Sequence, residues 1–63
     1  MNRIKEVRVH LQISQIDLAK KADVSQPFLS DLENNRRGAK PETYQRIADS
    51  MGVDVSEIVE KVV

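Results

Sequence analysis

A chain of 63 residues holds one small domain, and at that length only about 60% of the unfolded surface can be buried, so the core is thin. The absence of cysteine rules out a disulfide framework, and a single histidine leaves too few ligands for a zinc site. Ten basic and ten acidic residues give zero net charge, which taken alone argues against a polyanionic partner.

The first predicted helix covers about Asn2 to Leu11, where Ile4, Val7 and Leu11 recur on one helical face. Ser14 suits the N-cap of a second helix, and Asp17 three residues on completes a capping-box-like pattern. That helix turns Leu18, Ala19 and Ala22 inward. A third helix starts near Ser25 and ends near Asn34, with Leu29 and Leu32 as its inward pair. The polar stretch from Asn34 to Lys40 reads as a loop, with Gly38 as the breaker. Pro41 opens a fourth helix at a position where its missing N–H costs nothing, and Tyr44, Ile47, Ala48 and Met51 form the apolar stripe. Gly52 is placed to end that helix. Asp54 and Glu57 then cap a fifth helix whose apolar face is Val55, Ile58, Val59 and Val62. No segment alternates with period two, so the expected fold is all-α, one domain over residues 1–63.

Charge is unevenly distributed along the chain. Residues 1–41 hold eight Lys or Arg against five Asp or Glu, and residues 42–63 hold two against five. The local field steers a partner, so the zero sum does not exclude nucleic acid. No apolar run approaches the roughly 20 residues of a membrane span, and the charges from Arg3 to Arg8 do not suit a secretory leader. The expected location is the cytoplasm. With no nucleophile–base set, metal cluster or phosphate-cradling glycine loop, an enzyme is not expected and no cofactor is implied.

The second and third helices are joined by little more than Asp23 and Val24. So short a connection forces a steep crossing, as in a helix-turn-helix pair. Ala19 is small where two backbones approach. Leu18, Ala22, Val24, Leu29 and Leu32 are apolar where the pair would pack, and Lys20, Lys21, Gln26, Ser30 and Asp31 are polar on the outward faces. Amphipathicity alone would fit any small helical bundle. The register of these residues around one tight turn is more specific.

Three blocks carry a family resemblance: Ser14-Gln15-Ile16-Asp17-Leu18-Ala19, Val24-Ser25-Gln26, and Leu29-Ser30-Asp31-Leu32-Glu33-Asn34. With Ile47-Ala48 and Met51-Gly52-Val53 they resemble the phage repressor and Cro-type (xenobiotic-response-element-like) helix-turn-helix regulators, over Ile4 to Val59. The resemblance implies a five-helix, lambda-repressor-like domain that binds double-stranded DNA. The third helix would be the recognition helix, presenting Gln26, Phe28, Ser30 and Asp31 to base edges in the major groove. Gln can pair with adenine, Phe can press on a thymine methyl, Ser can donate or accept, and Asp can accept from a cytosine amino group. Gln15, Asn35, Arg36, Arg37 and Lys40 would contact the DNA backbone. The resemblance also implies a structural ion pair between Arg8 and Glu33.

The chain departs from the family pattern at four points. Pro27 disfavours helical geometry at Gln26 and would move the helix start one residue on, leaving Gln26 at the cap. Asp31 sets an acid on a face meant for a polyanion. Asp23 and Gln12 stand where glycine is usual.

Competing roles remain for several residues. Phe28 is one of two aromatics and could pack in the core, Asp31 could pair locally with Arg36, and the basic loop could be a solvated turn. His10 reads as a surface or capping residue. The stripe of Val55, Ile58, Val59 and Val62 could be core, dimer surface or both; Val62 and Val63 have little left to bury against in one chain, and with Val59 they suit a dimer surface. The leading expectation is a homodimeric transcriptional regulator, a repressor on a palindromic operator. The alternatives are a protein-interaction module that kept the fold and lost DNA binding, or an antitoxin or controller subunit autoregulating its operon. A partner protein or a longer parent chain would supply any signal response.

Overall fold

The computed structural model describes residues 2–59. Four α-helices follow in order, α1 (Ile4–His10), α2 (Gln15–Ala22), α3 (Gln26–Glu33) and α4 (Pro41–Met51), and then one 3-10 turn, Val55–Glu57. One core of Ile4, Leu18, Ala19, Ala22, Leu29, Leu32, Ile47, Ala48, Met51 and Ile58 joins them. Ile4, Leu18, Leu29, Leu32, Ile47 and Ile58 are its fully buried large side chains. Each contributes on the order of 1.5–3 kcal/mol by burial. Ala19 and Ala22 lie on the face of α2 that α3 and α4 pack against, where a small side chain lets the helices approach. Leu11, expected to share the inner face of α1, is 40% exposed because the helix has already ended at His10.

Among the described residues the fifth helix of the sequence reading is a single 3-10 turn. Its capping box forms: the Asp54 carboxylate accepts from Ser56 N, and Glu57 Oε2 accepts from Asp54 N at 3.0 Å. The next carbonyl leaves the helical pattern, because Ile58 O accepts from Arg3 N at 2.7 Å. Asn2 and Val59 then form an isolated antiparallel bridge. The β-branched residues of this segment are stiff in a helix and suit extended pairing.

All four helices end in the same reverse turn, in which two backbone N–H groups beyond the helix return to its last carbonyls. After α1 the bonds are Gln12 N to Val9 O and Ile13 N to Arg8 O; after α3 they are Asn35 N to Leu32 O and Arg36 N to Asp31 O. The turn needs one left-handed residue, supplied by Gln12 (φ 59), Asp23 (φ 57), Asn35 (φ 59) and Gly52 (φ 71). Only the last is glycine. Asn and Asp tolerate this region, whereas Gln12 bears more strain there. Gly38, expected to break the chain after α3, is not in a left-handed conformation; Asn35 turns the chain instead. In three turns the residue after the left-handed one is apolar (Ile13, Val24, Val53) and packs against the core. After α3 it is the exposed Arg36.

Candidate nucleic-acid interface

The turn between α2 and α3 consists of Asp23, Val24 and Ser25. Asp23 reverses the chain and half-buried Val24 seals the turn against the core. Ser25 is extended, and its Oγ accepts from Phe28 N at 3.2 Å. Gln26 is therefore the first helical residue and Pro27 the second. The anticipated shift of Gln26 to the cap does not occur, because the N–H that proline lacks has no intrahelical partner in a first turn.

The outer side of α3 carries Gln26, which is exposed, and Ser30 and Asp31, which are partly exposed. Phe28 is half-buried and packs against the core. The Arg37 guanidinium lies over its ring, 4.1 Å from the centroid.

A chain of polar contacts runs from inside the protein to the start of α3. Arg8 Nε donates to Glu33 Oε2 at 2.8 Å and Arg8 Nη2 to Glu33 Oε1 at 3.1 Å. Arg8 Nη1 donates to Ile13 O at 2.9 Å, which ties the same guanidinium to the turn after α1. The pair is largely removed from water, with side-chain exposures of 11% for Arg8 and 1% for Glu33. Gln15 Nε2 donates to Glu33 Oε1 at 3.1 Å, and Gln26 Nε2 donates to Gln15 Oε1 at 3.2 Å. Both ends of the Gln15 amide are thus engaged within the protein. The two-pronged pair has the geometry in which charge-assisted bonds are strongest.

The loop after α3 is held by weaker contacts. Asn34 Nδ2 folds back onto Ser30 O at 2.9 Å. Arg36 Nη1 lies 3.9 Å from Asp31 Oδ1, with both side chains well exposed, so the pair contributes at most about 1 kcal/mol. Among the described residues no carboxylate pairs with Arg37 or Lys40. Phe28, Arg37, Gly38, Ala39, Lys40, Glu42 and Thr43 line one open groove beside this loop.

One residue with a clear role escaped the sequence reading. Asn2 was assigned to the first helix, but it stands before it. Its Oδ1 accepts from Ile4 N at 3.1 Å, and its Nδ2 donates to Leu32 O at 2.8 Å and to Asn35 Oδ1 at 3.2 Å. Asn2 thereby clamps the start of α1 to the end of α3. An Asn just ahead of the first apolar helical residue is a capping signal, which was the available clue. Asn35, expected on the DNA backbone, spends its side-chain carbonyl on Asn2. Val59, expected on a dimer surface, packs partly against its own core; Val62 and Val63 lie outside the described residues.

Among the described residues no helix is long and apolar enough to cross a membrane. The chain matches the helix-turn-helix family over residues 4–58. It is 37% identical over 57 residues to the immunity repressor protein of Bacillus phage phi105, an alignment covering 90% of this chain and 40% of that protein. It is 37% identical over 60 residues to the HTH-type transcriptional regulator DdrOP3 of Deinococcus deserti, covering 95% of this chain and 46% of that one. The propionyl-CoA carboxylase regulator of Cereibacter sphaeroides is 32% identical over 56 residues, which are 89% of this chain and 12% of that protein. The chain thus spans less than half the length of these relatives. With α2 and α3 crossing at a turn of three residues, and with these matches along nearly the whole chain, it belongs to the phage-repressor and Cro-type helix-turn-helix family of DNA-binding transcriptional regulators.

Proposed function

We propose that this chain represses transcription by binding a two-fold symmetric operator as a homodimer, each copy laying α3 in the major groove. The observation that carries this reading is the exposed first turn of α3, fixed by the contacts from Gln26 through Gln15 and Glu33 to Arg8. A rod that reads base edges must have its register set before it meets them, and a partly buried ion pair supplies a rigid anchor. Gln26, Ser30 and Asp31 are the groove-facing side chains in this reading. Gln26 addresses adenine, and Asp31 the amino group of cytosine. Arg36, Arg37 and Lys40 lie beside the rod and neutralise phosphates, with Gln15 and Asn35 at its flanks.

Dimerisation follows from size. One such module buries about 600–1,000 Å² on DNA, and a second copy about 34 Å away doubles the base contacts. The dimer surface would include the C-terminal end from Val59 onward.

Selection from random duplexes at low salt tests this directly. The expected winners are inverted repeats with half-site centres about one helical turn apart, bound by two copies in sedimentation. Enrichment of nothing, by a folded protein, would sink the reading and favour a protein-interaction module of the same fold. Enrichment of single half-sites bound by one copy would remove the dimer.

A further inference from the structure

We infer that Phe28 acts as a positioning residue, holding the Arg37 guanidinium against the phosphate backbone, and does not read a base. This rests on the DNA-binding reading above and assigns a different task to one residue within it.

Phe28 is half-buried and packed against the core, and the guanidinium of Arg37 lies 4.1 Å above its centroid. A ring shared between a core and a cation has no face left to lay on a thymine methyl. The cation, by contrast, gains a fixed place. Arg37 is exposed and has no carboxylate partner among the described residues, unlike Arg36, which sits beside Asp31. Its remaining contact is a long one, Nε to Gly38 O at 3.4 Å. Between the Asn2 clamp at Asn35 and the core contact of Ala39 the loop has little to hold it, because the residue that closes the turn after α3 is polar where Ile13, Val24 and Val53 close the others. An arginine on such a loop would sample many rotamers. Stacking on an aromatic face removes that freedom and leaves the guanidinium edge, with its N–H groups, directed outward. Phe28 and Arg37 also line the same open groove as Lys40 and Glu42, so the stacked guanidinium, a second cation with no carboxylate partner among the described residues, and one carboxylate border one surface.

A ring that positions a phosphate contact should affect every sequence equally, because phosphate carries no sequence information. The test uses the whole chain and the duplex won in the selection, with a scrambled duplex as control, across a salt series. Phe28→Leu keeps an apolar core side chain and removes the ring. It is expected to weaken both duplexes by the same factor, about three- to tenfold, and to make the salt slope shallower by about 0.9, the value for one lost phosphate contact. Arg37→Ala should do the same, and the double variant should lose little more than either alone. A changed preference at one base position with an unaltered slope would overturn the assignment, as would losses that multiply in the double variant. If Phe28→Leu fails to melt cooperatively, Arg37→Lys decides the matter from the exposed side. It keeps the charge but cannot lie flat on the ring, so it should bind both duplexes more weakly than the natural chain; unchanged binding would overturn the inference. Failure of the underlying reading would show earlier, as a natural chain that enriches no duplex.

Discussion

The loop that follows α3 is held differently from the helix itself. The first turn of α3 is fixed by a side-chain chain that ends on a nearly dry ion pair, Arg8 with Glu33. At its last residue the same ion pair holds the helix, and the loop beyond, tied at Asn35 by Asn2, rests on exposed contacts, Arg36 with Asp31 and Arg37 with Phe28. This division matches two different tasks. A base edge accepts a donor only within a few tenths of an ångström, whereas a phosphate attracts a cation over a Debye length of about 8–10 Å. The strongest, driest contacts hold the helix that needs geometry, and the loop's cations are placed by exposed contacts such as the stacking of Arg37 on Phe28.

The largest test breaks the anchor of α3. Arg8→Ala leaves the Glu33 carboxylate buried with Gln15 as its remaining side-chain donor. The expected loss is about 3–5 kcal/mol. At ~0.05–0.15 kcal/mol per residue the whole domain has a comparable reserve, so the variant should be largely unfolded by circular dichroism at room temperature. A melting point within a few degrees of the natural chain would show that the pair is not an anchor. Replacing both partners with apolar residues should recover most of the stability, since a buried pair stabilises little beyond a hydrophobic isostere.

Gln15→Ala separates anchoring from stability. It breaks the link between Glu33 and Gln26 while keeping the ion pair, so the expected cost to folding is about 1 kcal/mol. Base preference opposite Gln26 should fall by a larger factor than affinity for scrambled DNA. Equal losses on both duplexes would mean that Gln15 acts on phosphate alone.

Asp31→Asn probes the contact between α3 and the loop. The exchange removes an acid from the face proposed to meet DNA and releases Arg36 from its weak pair. Affinity should rise a few-fold and the salt slope should steepen, with discrimination relaxed at one base pair. An unchanged slope would show that Arg36 lies away from the phosphates.

The smallest effect is expected away from both, in the turn after α1. Gln12 holds a left-handed conformation without the tolerance of Asn or Asp, so Gln12→Gly should raise stability by up to about 1 kcal/mol. A gain of that size moves a domain of this length by about 4–8 °C in a thermal melt. DNA binding should not change.

The sequence by itself determined the four helices, the starts of α2, α3 and α4 and the end of α4, because apolar periodicity, Ser14, Ser25, Pro41 and Gly52 are local signals that act within one or two turns. It also marked the crossing of α2 and α3, since a three-residue turn leaves few ways to pack two amphipathic helices. Only the tertiary structure decided the rest. The last segment carried helical caps and an apolar stripe, yet it stops after one turn because Ile58 O is taken by Arg3 N and Val59 pairs with Asn2, partners more than fifty residues away in the chain. The role of Asn2 as a clamp on Leu32 and Asn35, and the stacking of Arg37 on Phe28, depend equally on which segments meet. Local propensity is set by neighbours in sequence, but a hydrogen bond or a ring face is claimed by whichever group the packed core brings within reach.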